Sequence, residues 1–448
     1  MKRVLQMGFV MFAVLSFALL SACSESNDLP PISGDEDNEL EVISDGDMDR
    51  DIEQETDTQT ESELELEWEE EVESNLTEQS ELSESDPPVD YLEDLVITDQ
   101  PLMGTMEETI SVQVESDDLS VLISAFSKSA DADVAVWTIE NPNGKIIYSM
   151  GYNETDIWVL SDYYSYPSAG IGSATIHIPP VPDMPFETGE YLVTFIALDS
   201  PLERVKIIKK KDTTATEFLL DWDIWIATDN APLDTDSARQ DYISTVLGHV
   251  SDLLRPHNMD IGTITIQLAE PEIIQQFSTL DMEQVELLCQ ALANQQPTRR
   301  AMRLVVVDWV DYENQHCCGG VSPASPGGIL DSGVMASCVA ASYYAYGRSY
   351  AEQGANFLHE GAHFLGLPHT SESDGKQFDA YSDTPECHVE EKDSNGDQQI
   401  DDYECGIEGG ANNVMFFGGT PDFLPYYLSP QQVESLRIHP LLIPVLNE

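Results

Sequence analysis

Three histidines and a glutamate between residues 359 and 369 carry the clearest chemical signal in this sequence. His359 and His363 are four residues apart, so on a helix they project from the same face and can bind one zinc ion. Glu360 lies beside the first histidine, where a carboxylate can handle a water molecule that the metal activates. Gly366 can end the helix in a left-handed conformation, and the chain then returns with His369 as a third ligand. Three protein ligands leave one position for water, which is typical of a catalytic zinc site.

The residues from His359 to His369 resemble the extended signature of the metzincin zinc endopeptidases, His-Glu-x-x-His-x-x-Gly-x-x-His. The later stretch Ala-Asn-Asn-Val-Met-Phe-Phe-Gly-Gly, with Met415 at its centre, resembles the Met-turn of that family. There the methionine forms an apolar floor beneath the metal-binding histidines. Thr370 and the sequence Asp383–Pro385 are similar to the pappalysin branch. The resemblance implies a zinc endopeptidase with the three histidines as Zn2+ ligands and Glu360 as general base.

One position departs from the family pattern. Many relatives carry a tyrosine two residues after the Met-turn methionine, where it stabilises the oxyanion, whereas this sequence has Phe417. Either Tyr426 or Tyr427 supplies the hydroxyl instead, or the metal alone polarises the carbonyl; the sequence leaves this choice open.

The protein is strongly acidic, with 83 Asp and Glu against 19 Lys and Arg in 448 residues and a formal net charge of -64 at pH 7. A nucleic-acid backbone would be repelled, so we expect no nucleic-acid partner. Residues 24–90 hold 27 acidic side chains and one basic side chain, Arg50. This segment lacks a periodic apolar pattern and cannot bury enough surface to offset its chain entropy. We therefore predict that residues 23–90 form a disordered acidic tether.

Residues 1–22 have the pattern of an export signal, in which Lys2 and Arg3 precede an apolar run that ends in Leu-Ser-Ala. With Cys23 this ending resembles the bacterial lipobox, whose cysteine is lipidated and becomes the first mature residue. The alternative is an ordinary cleaved signal with an incidental cysteine. No other stretch approaches the ~18–20 apolar residues of a membrane span, so we expect membrane attachment through the lipid only. The predicted protein is exported and lipid-anchored at the bacterial outer membrane or cell surface.

Two regions of different periodicity follow the tether, and together they predict an α+β (α/β) fold. Residues 91–212 contain short alternating runs separated by turn clusters, which predicts an antiparallel β-sandwich accessory domain. Residues 213–448 alternate predicted strands, among them Phe218–Ala227 and Arg303–Val310, with amphipathic helices. This order resembles a metzincin-type zincin catalytic domain, whose edge strand above the cleft corresponds to Gly327–Ser337. An edge strand can bind an extended peptide through main-chain hydrogen bonds.

One basic cluster interrupts the acidic sequence, with five Lys and Arg between Arg204 and Lys211. We interpret it as a solvated strand end. A processing site between the two predicted domains is the alternative.

An acidic loop between the histidines and the Met-turn has the ligand spacing of a calcium-binding loop. Its candidate ligands, in order, are Asp393, Asn395, Asp397, Gln399, Asp401 and Glu404. Gln398 replaces the glycine that such loops use for their sharp turn. We predict Ca2+ here as a second cofactor beside Zn2+, and a solvated acidic loop is the alternative.

The cysteines other than Cys23 all lie after residue 288, and they are even in number. In an exported protein this favours disulfides. Cys387 with Cys405 is the predicted pair because both flank one loop. The other pairings stay open, with Cys317 or Cys318 bonded to Cys338 as one option.

The sequence therefore predicts a zinc-dependent endopeptidase whose partner is a peptide or protein substrate. One alternative is a non-catalytic cell-surface binding protein with a structural zinc site. Another is a metallohydrolase that acts on a non-peptide amide. The intact Glu360 favours catalysis, because a structural zinc site has no chemical use for that carboxylate.

Overall fold

The structure is a computed structural model of the chain. It describes residues 92–150, 169–228, 231–293, 299–312, 315–330, 337–344, 349–418 and 425–446. Across these ranges the fold is mixed α+β, as the sequence predicts. The predicted signal at residues 1–22, Cys23 and the predicted tether at residues 23–90 lie outside the described residues. The described residues belong to one compact unit, and the predicted division between residues 212 and 213 stays a prediction.

Two antiparallel sheets occupy the region before residue 212. Their strands are β1 (Leu95–Pro101), β2 (Glu107–Val114), β3 (Asp118–Ser127), β4 (Asp133–Glu140), β5 (Ile146–Ser149), β6 (Ala169–Ile171), β7 (Ser173–Ile178), β8 (Gly189–Ala197) and β9 (Leu202–Lys211). The first sheet has the order β1-β9-β3-β7 and the second the order β2-β8-β4-β5, with β6 beside β4. Exposed and buried residues alternate along the whole of β2, which is the period of two that its sequence carries.

A mixed sheet and a small three-stranded sheet occupy the region after residue 212. Their strands are β10 (Phe218–Ile226), β11 (Met259–Leu268), β12 (Thr279–Asp281), β13 (Met302–Val307), β14 (Trp309–Tyr312), β15 (Gln315–Cys318), β16 (Gly320–Val321), β17 (Val339–Ser342) and β18 (Ile443–Pro444). The mixed sheet has the order β11-β10-β13-β17-β16, with β18 beside β10, and the small sheet the order β12-β14-β15. Only β16 and β18 run antiparallel to their neighbours in the mixed sheet.

The predicted strand Arg303–Val310 is divided between these two sheets. The backbone N–H of Asp308 donates to the carbonyl of Ser278, 2.7 Å away, which takes the chain out of the mixed sheet. Trp309 then begins β14 in the small sheet. The backbone hydrogen bond of Asp308 thus divides the predicted strand Arg303–Val310 into two strands.

The helices of the described residues all follow residue 230. They are α1 (Asp236–Leu254), α2 (Pro271–Phe277), α3 (Val285–Ala293), α4 (Tyr350–Phe364), α5 (Val389–Lys392), α6 (Asp402–Cys405) and α7 (Pro430–Ile438). Helices α1 and α4 approach closely at Gly354, where a Cβ atom would lie 2.7 Å from the Cβ of His249. Helix α4 also contacts β16 and β17, so it is held between α1 and the edge of the mixed sheet.

Strand β9 carries the basic cluster, and two of its five basic residues are buried. Lys206 and Lys210 lie on the same face of the strand, and Lys210 is 0% exposed. The Lys210 ammonium donates to the carbonyls of Arg437, His439 and Leu442 at 2.6, 3.0 and 2.7 Å. The solvated interpretation is therefore wrong for Lys206 and Lys210, which are buried, whereas Arg204, Lys209 and Lys211 are partly exposed. The alternative of a processing site is also disfavoured, since β9 is paired on both sides, with β1 and β3.

A buried ion pair lies beside this lysine. The Arg300 guanidinium binds both carboxylate oxygens of Asp94, at 2.5 and 2.7 Å, and also donates to the carbonyls of Pro440 and Leu442. We call this contact the seam: Asp94, Lys210 and Arg300 against the carbonyls of residues 437–442. It joins the N-terminal sheets to the chain that follows α7.

Two cysteine pairs lie at disulfide distance. One is Cys387 with Cys405, and the other is Cys289 with Cys338. Cys338 thus pairs with Cys289 and not with Cys317 or Cys318, because α3 and the residue before β17 share a buried apolar cluster. Among the described residues, no helix is both long and apolar enough to cross a membrane.

Candidate metal centre

Helix α4 carries the first two histidines and the glutamate. The Ser349 side chain caps its start by accepting a hydrogen bond from the backbone N–H of Glu352. From Gln353 to Phe364 every residue of the helix is buried. A buried helix cannot leave polar side chains unpaired without cost, so each histidine and the glutamate needs an explanation.

The end of α4 brings the third histidine back. Gly366 has a φ of 100°, in the left-handed region that favours glycine. Its N–H donates to the carbonyl of His363, and the N–H of Leu367 donates to that of Ala362, at 2.8 and 2.9 Å. This cap reverses the chain, so His369 faces the helix that it has just left.

The three imidazoles converge on one point. The Nε2 atom of His363 lies 3.1 Å from that of His359 and 2.9 Å from that of His369, and the remaining pair is 3.3 Å apart. Nitrogen ligands at ~2.0–2.1 Å around a tetrahedral zinc ion lie about 3.3 Å from one another. Within the described ranges, this is the only group of three or more His, Cys, Asp or Glu side chains with metal-ligand spacing.

Each ring uses its other nitrogen to bind an oxygen acceptor. His359 Nδ1 lies 2.6 Å from the carbonyl of Val414, and His363 Nδ1 lies 2.7 Å from that of Leu367. His369 Nδ1 lies 3.0 Å from the carboxylate of Glu372. These acceptors place the proton on Nδ1 and leave a lone pair on each Nε2, which is the tautomer that binds metals through Nε2.

The electrostatics favour neutral rings. Burial, first of all, lowers the pKa of His359 to about 4 and holds the pKa of His363 and His369 well below the usual range. Neutral imidazole is the form that binds metals. Three lone pairs that point at one another repel unless a cation lies between them.

Met415 is buried, and the residue before it in sequence contacts one of the histidines. The carbonyl before it, on Val414, accepts from His359, and its own carbonyl accepts from the N–H of Thr370 at 2.9 Å. The N–H of Met415 donates to the side chain of Asn413, which also exchanges hydrogen bonds with Gln432 of α7. The turn around Met415 is thus tied to His359, to the residue after His369 and to the last helix.

Glu360 is 2% exposed, and its Oε2 atom has no hydrogen-bond partner. Burial raises the pKa of this carboxyl well above its usual range. Its side chain fits only because residue 320 on β16 is glycine. A Cβ atom there would lie 2.5 Å from Glu360 Cγ and 2.7 Å from the carbonyl of Ala340. Gly320 therefore reserves the space that the carboxylate occupies.

These residues fit a divalent metal ion. Three neutral nitrogen donors have the spacing of a shared ligand set, and a buried carboxylate with an unpaired oxygen lies on the same helix. A cation at this point would remove the repulsion between the lone pairs and lower the pKa of Glu360. Imidazole donors suit zinc and several other transition metals, so the donor set indicates a metal of this class.

Phe417 and the two candidate tyrosines have different surroundings. Phe417 is buried in a separate apolar cluster with Phe416 and the Cys387–Cys405 pair. The Tyr427 hydroxyl is hydrogen-bonded to the side chain of Asn413, so it supports the turn around Met415. Tyr426 lies half-buried against the main core.

The predicted calcium loop folds as a tight acidic turn. Its carboxylates accept backbone hydrogen bonds within the loop: Asp393 from Gly396 and Gln398, and Glu404 from Ser394 and Asn395. The Asp401 and Glu404 side chains also form a capping box at the start of α6. Asp393, Asp397, Asp401 and Glu404 do not form a second group with metal-ligand spacing. The calcium site stays a prediction.

The predicted edge strand Gly327–Ser337 is only partly described, because residues 331–336 lie outside the described ranges. Its described residues 327–330 are not in a strand. The edge of the mixed sheet on this side is β16, beside Glu360.

Sequence reasoning missed two residues of this site. Glu372 fixes the ring of His369, and its spacing of three residues from that histidine was a usable signal. Gly320 carries no local signal, because its role depends on a side chain that is 40 positions away in the chain.

No protein-family model matches this chain, and no curated protein matches it. Among solved structures, it is similar to the CspB protease of Clostridium perfringens, at 17% identity over 26% of this chain and 25% of that chain, with a TM-score of 0.17. It is also similar to metalloproteinase-II of Bacteroides fragilis, at 10% identity over 53% and 62% of the chains, with a TM-score of 0.31. A chaperone-substrate complex has 11% identity over 51% and 35%, with a TM-score of 0.28. This chain spans less than two thirds of the length of each. Similarity at these TM-scores supports no functional assignment, so the candidate site is identified from its geometry alone.

Proposed function

We propose that this chain is a zinc-dependent endopeptidase in which Glu360 is the general base. The observation that carries the proposal is the convergence of three neutral Nε2 atoms near a buried carboxylate whose Oε2 has no partner. Perturbed carboxylates beside a ligand cluster are typical of catalytic sites. The substrate is a peptide or protein.

His359, His363 and His369 would hold the zinc ion through Nε2, while the acceptors at Nδ1 keep each ring in place. When bound, the ion supplies Lewis acidity, which makes water more acidic and polarises the scissile carbonyl. Glu360 takes a proton from the attacking water at its carboxylate and then donates it to the nitrogen of the leaving amine. The C–N bond breaks and one water molecule is consumed. The burial of Glu360 keeps bulk water away from this proton transfer.

The alternative is a non-catalytic surface protein with a structural zinc site. Structural zinc sites have four protein ligands, whereas the group within the described residues has three. A structural site would also leave the cost of burying Glu360 uncompensated. Both points favour catalysis.

The test compares two Glu→Gln variants of the same helix. Glu360→Gln should bind zinc in the wild-type ratio and lose about 10²–10⁴-fold in the rate of casein or gelatin cleavage. Glu352→Gln, in the first turn of α4, should cleave normally. Phenanthroline should stop the wild type. Cleavage by Glu360→Gln at the wild-type rate would refute the role of this residue. A zinc-loaded wild type that cleaves neither protein nor a peptide library would favour the surface-binding alternative.

The finer assignments are part of the same proposal. We infer a metzincin-type zincin domain of the pappalysin-like branch, because the signature residues from His359 to His369 and Met415 lie together. We also infer that the two N-terminal sheets form a β-sandwich, since both contribute to one buried cluster. Export, a lipid at Cys23, anchoring at the bacterial outer membrane or cell surface, and Ca2+ bound at Asp393–Glu404 complete the proposal.

A further inference from the structure

A short stretch of chain borders the metal-binding helix from Glu360 to its end. We call residues Gly320–Leu330 the flanking segment. It begins as strand β16, where Gly320 lies against Glu360. The segment then leaves the sheet and reaches the last turn of α4. One face of the candidate site is therefore formed by chain that carries no ligand.

The middle of the flanking segment is pressed onto α4. The N–H of Gly327 donates to the carbonyl of Phe364 at 2.9 Å. A Cβ atom at Gly327 would lie 2.0 Å from the Phe364 ring, so no larger residue fits there without rearrangement. Phe364 directly follows the ligand His363. Movement of the flanking segment would change the space beside the ligands.

The far end of the flanking segment is held from the N-terminal sheets. The Lys206 ammonium donates to the carbonyl of Leu330. Lys206 is 8% exposed, so this hydrogen bond is shielded from water. Leu330 has a φ of 53°, a left-handed conformation that leucine rarely adopts without support from its surroundings. A charged donor on a rigid strand supplies that support.

We propose that Lys206 is a positioning residue for substrate binding, which fixes the flanking segment beside the metal centre from outside the predicted catalytic domain. The proposal rests on the proposed endopeptidase function. It assigns the N-terminal region a part in the site, although that region supplies neither a ligand nor the general base. The substrate class is an extended peptide that runs past the flanking segment.

The effect should fall on KM and not on kcat. Each ligand ring is fixed by an acceptor outside the flanking segment: Val414, Leu367 and Glu372. Glu360 contacts the segment at Gly320, where β16 is paired with β17. Loss of the hydrogen bond at Leu330 therefore loosens the far end and leaves the chemistry intact.

The experiment uses three variants of the full chain, with zinc bound. Lys206→Met removes the donor and keeps the length of the side chain, and Lys206→Arg keeps a donor. The control is Lys209→Met, which lies on the opposite face of β9 and is paired with Asp118 at 3.6 Å. Each variant is assayed for kcat and KM on a peptide substrate, for zinc content, and for hydrogen exchange at the Gly327 amide.

Lys206→Met should raise KM about tenfold with kcat within about twofold, because the loss of contacts that are equal in the ground state and the transition state raises KM and leaves kcat unchanged. Exchange at Gly327 should accelerate, zinc content should be unchanged, and Lys206→Arg should restore most of the affinity. Unchanged KM and exchange, or a loss of zinc with an equal fall in kcat, would overturn the proposal. If the wild type cleaves no peptide, the endopeptidase function fails. The exchange comparison between Lys206→Met and Lys209→Met then decides whether Lys206 holds the segment.

Discussion

The metal centre and the seam are both buried and polar, but they are built in opposite ways. The three ligands of the centre lie within eleven residues, and they are neutral donors around a point that needs a cation. The seam contains cations that backbone carbonyls already satisfy, and its hydrogen bonds from Lys210 join residues 227 to 232 positions apart. The spacing of ligands within eleven residues can be read from the sequence, whereas hydrogen-bond partners more than 220 positions apart cannot. We therefore expect variants of the centre to affect catalysis and variants of the seam to affect stability.

Gly320→Ala should give the largest effect, and it falls on the centre. The new methyl group would lie 2.5 Å from Glu360 Cγ and 2.7 Å from the Ala340 carbonyl, so the side chain of Glu360, the proposed general base, must move. We expect kcat to fall about 10²–10⁴-fold, the usual contribution of a general base, while zinc remains bound. The control is Gly248→Ala in α1, where no atom lies within 4 Å of the added Cβ. Normal activity in Gly320→Ala would show that Gly320 does not determine the position of the Glu360 side chain.

Arg300→Met should give the next largest effect, and it falls on the seam. It leaves the Asp94 carboxylate buried without its partner, and we expect the free energy of unfolding to fall by about 3–5 kcal/mol. Zinc affinity of the folded protein should not change. Arg255→Met removes a similar pair, Arg255–Asp260, from an exposed position and should cost under about 1 kcal/mol. Denaturant titration measures the free energy of unfolding of both variants. Equal losses in Arg300→Met and Arg255→Met would contradict the expected difference between a buried and an exposed ion pair.

Glu286→Gln tests a second contact between the N-terminal sheets and the region after residue 212. Burial, as the main cause, raises the pKa of Glu286 to about 7, although the N–H of Ile171 donates to it. The folded carboxyl therefore holds its proton more tightly than the unfolded one. Its contribution to stability is present below pH ~4.5 and is lost as the pH rises through about 7. Glu286→Gln should stabilise the protein at pH 8 by on the order of 3 kcal/mol and have little effect near pH 4.

The control for this titration is Glu272→Gln on the exposed face of α2. Thermal unfolding of both variants between pH 4 and pH 8 gives the comparison. A Glu286→Gln variant whose stability follows the wild-type pH curve would show that this carboxyl does not titrate in that window.

Glu372→Ala should give the smallest of these effects, again at the centre. The carboxylate binds Nδ1 of His369 at 3.0 Å, so its loss frees the ring and weakens metal binding about 10–100-fold. Competition with a chelator measures this affinity, with the exposed Glu390→Ala as control. The free energy of unfolding of the metal-free protein should change little. An unchanged zinc affinity would mean that the ring is held by packing alone.

Particular residues show how far the sequence could be interpreted. The four-residue spacing of His359 and His363 predicted their shared face, since that spacing is a property of one helix. The calcium pattern is less specific, because Asp401 and Glu404 at the same positions also cap α6. The position of strand β2 followed from its period of two.

The errors have a common physical cause. Lys210 looked solvated because charge usually means exposure, but its acceptors come from residues 437–442, which no local pattern places beside it. The run Arg303–Val310 looked like one strand because nothing in the sequence shows that Asp308 donates to Ser278. In both cases a partner far along the chain overrides the local signal.

The seam also bears on the order in which parts of the chain can fold. Lys210 precedes by more than 220 residues the carbonyls that accept hydrogen bonds from its ammonium. Without those carbonyls the ammonium needs other acceptors, such as water, because a buried unpaired charge is costly. Burial of the Lys210 ammonium with its three acceptors therefore requires residues 437–442 to be in place.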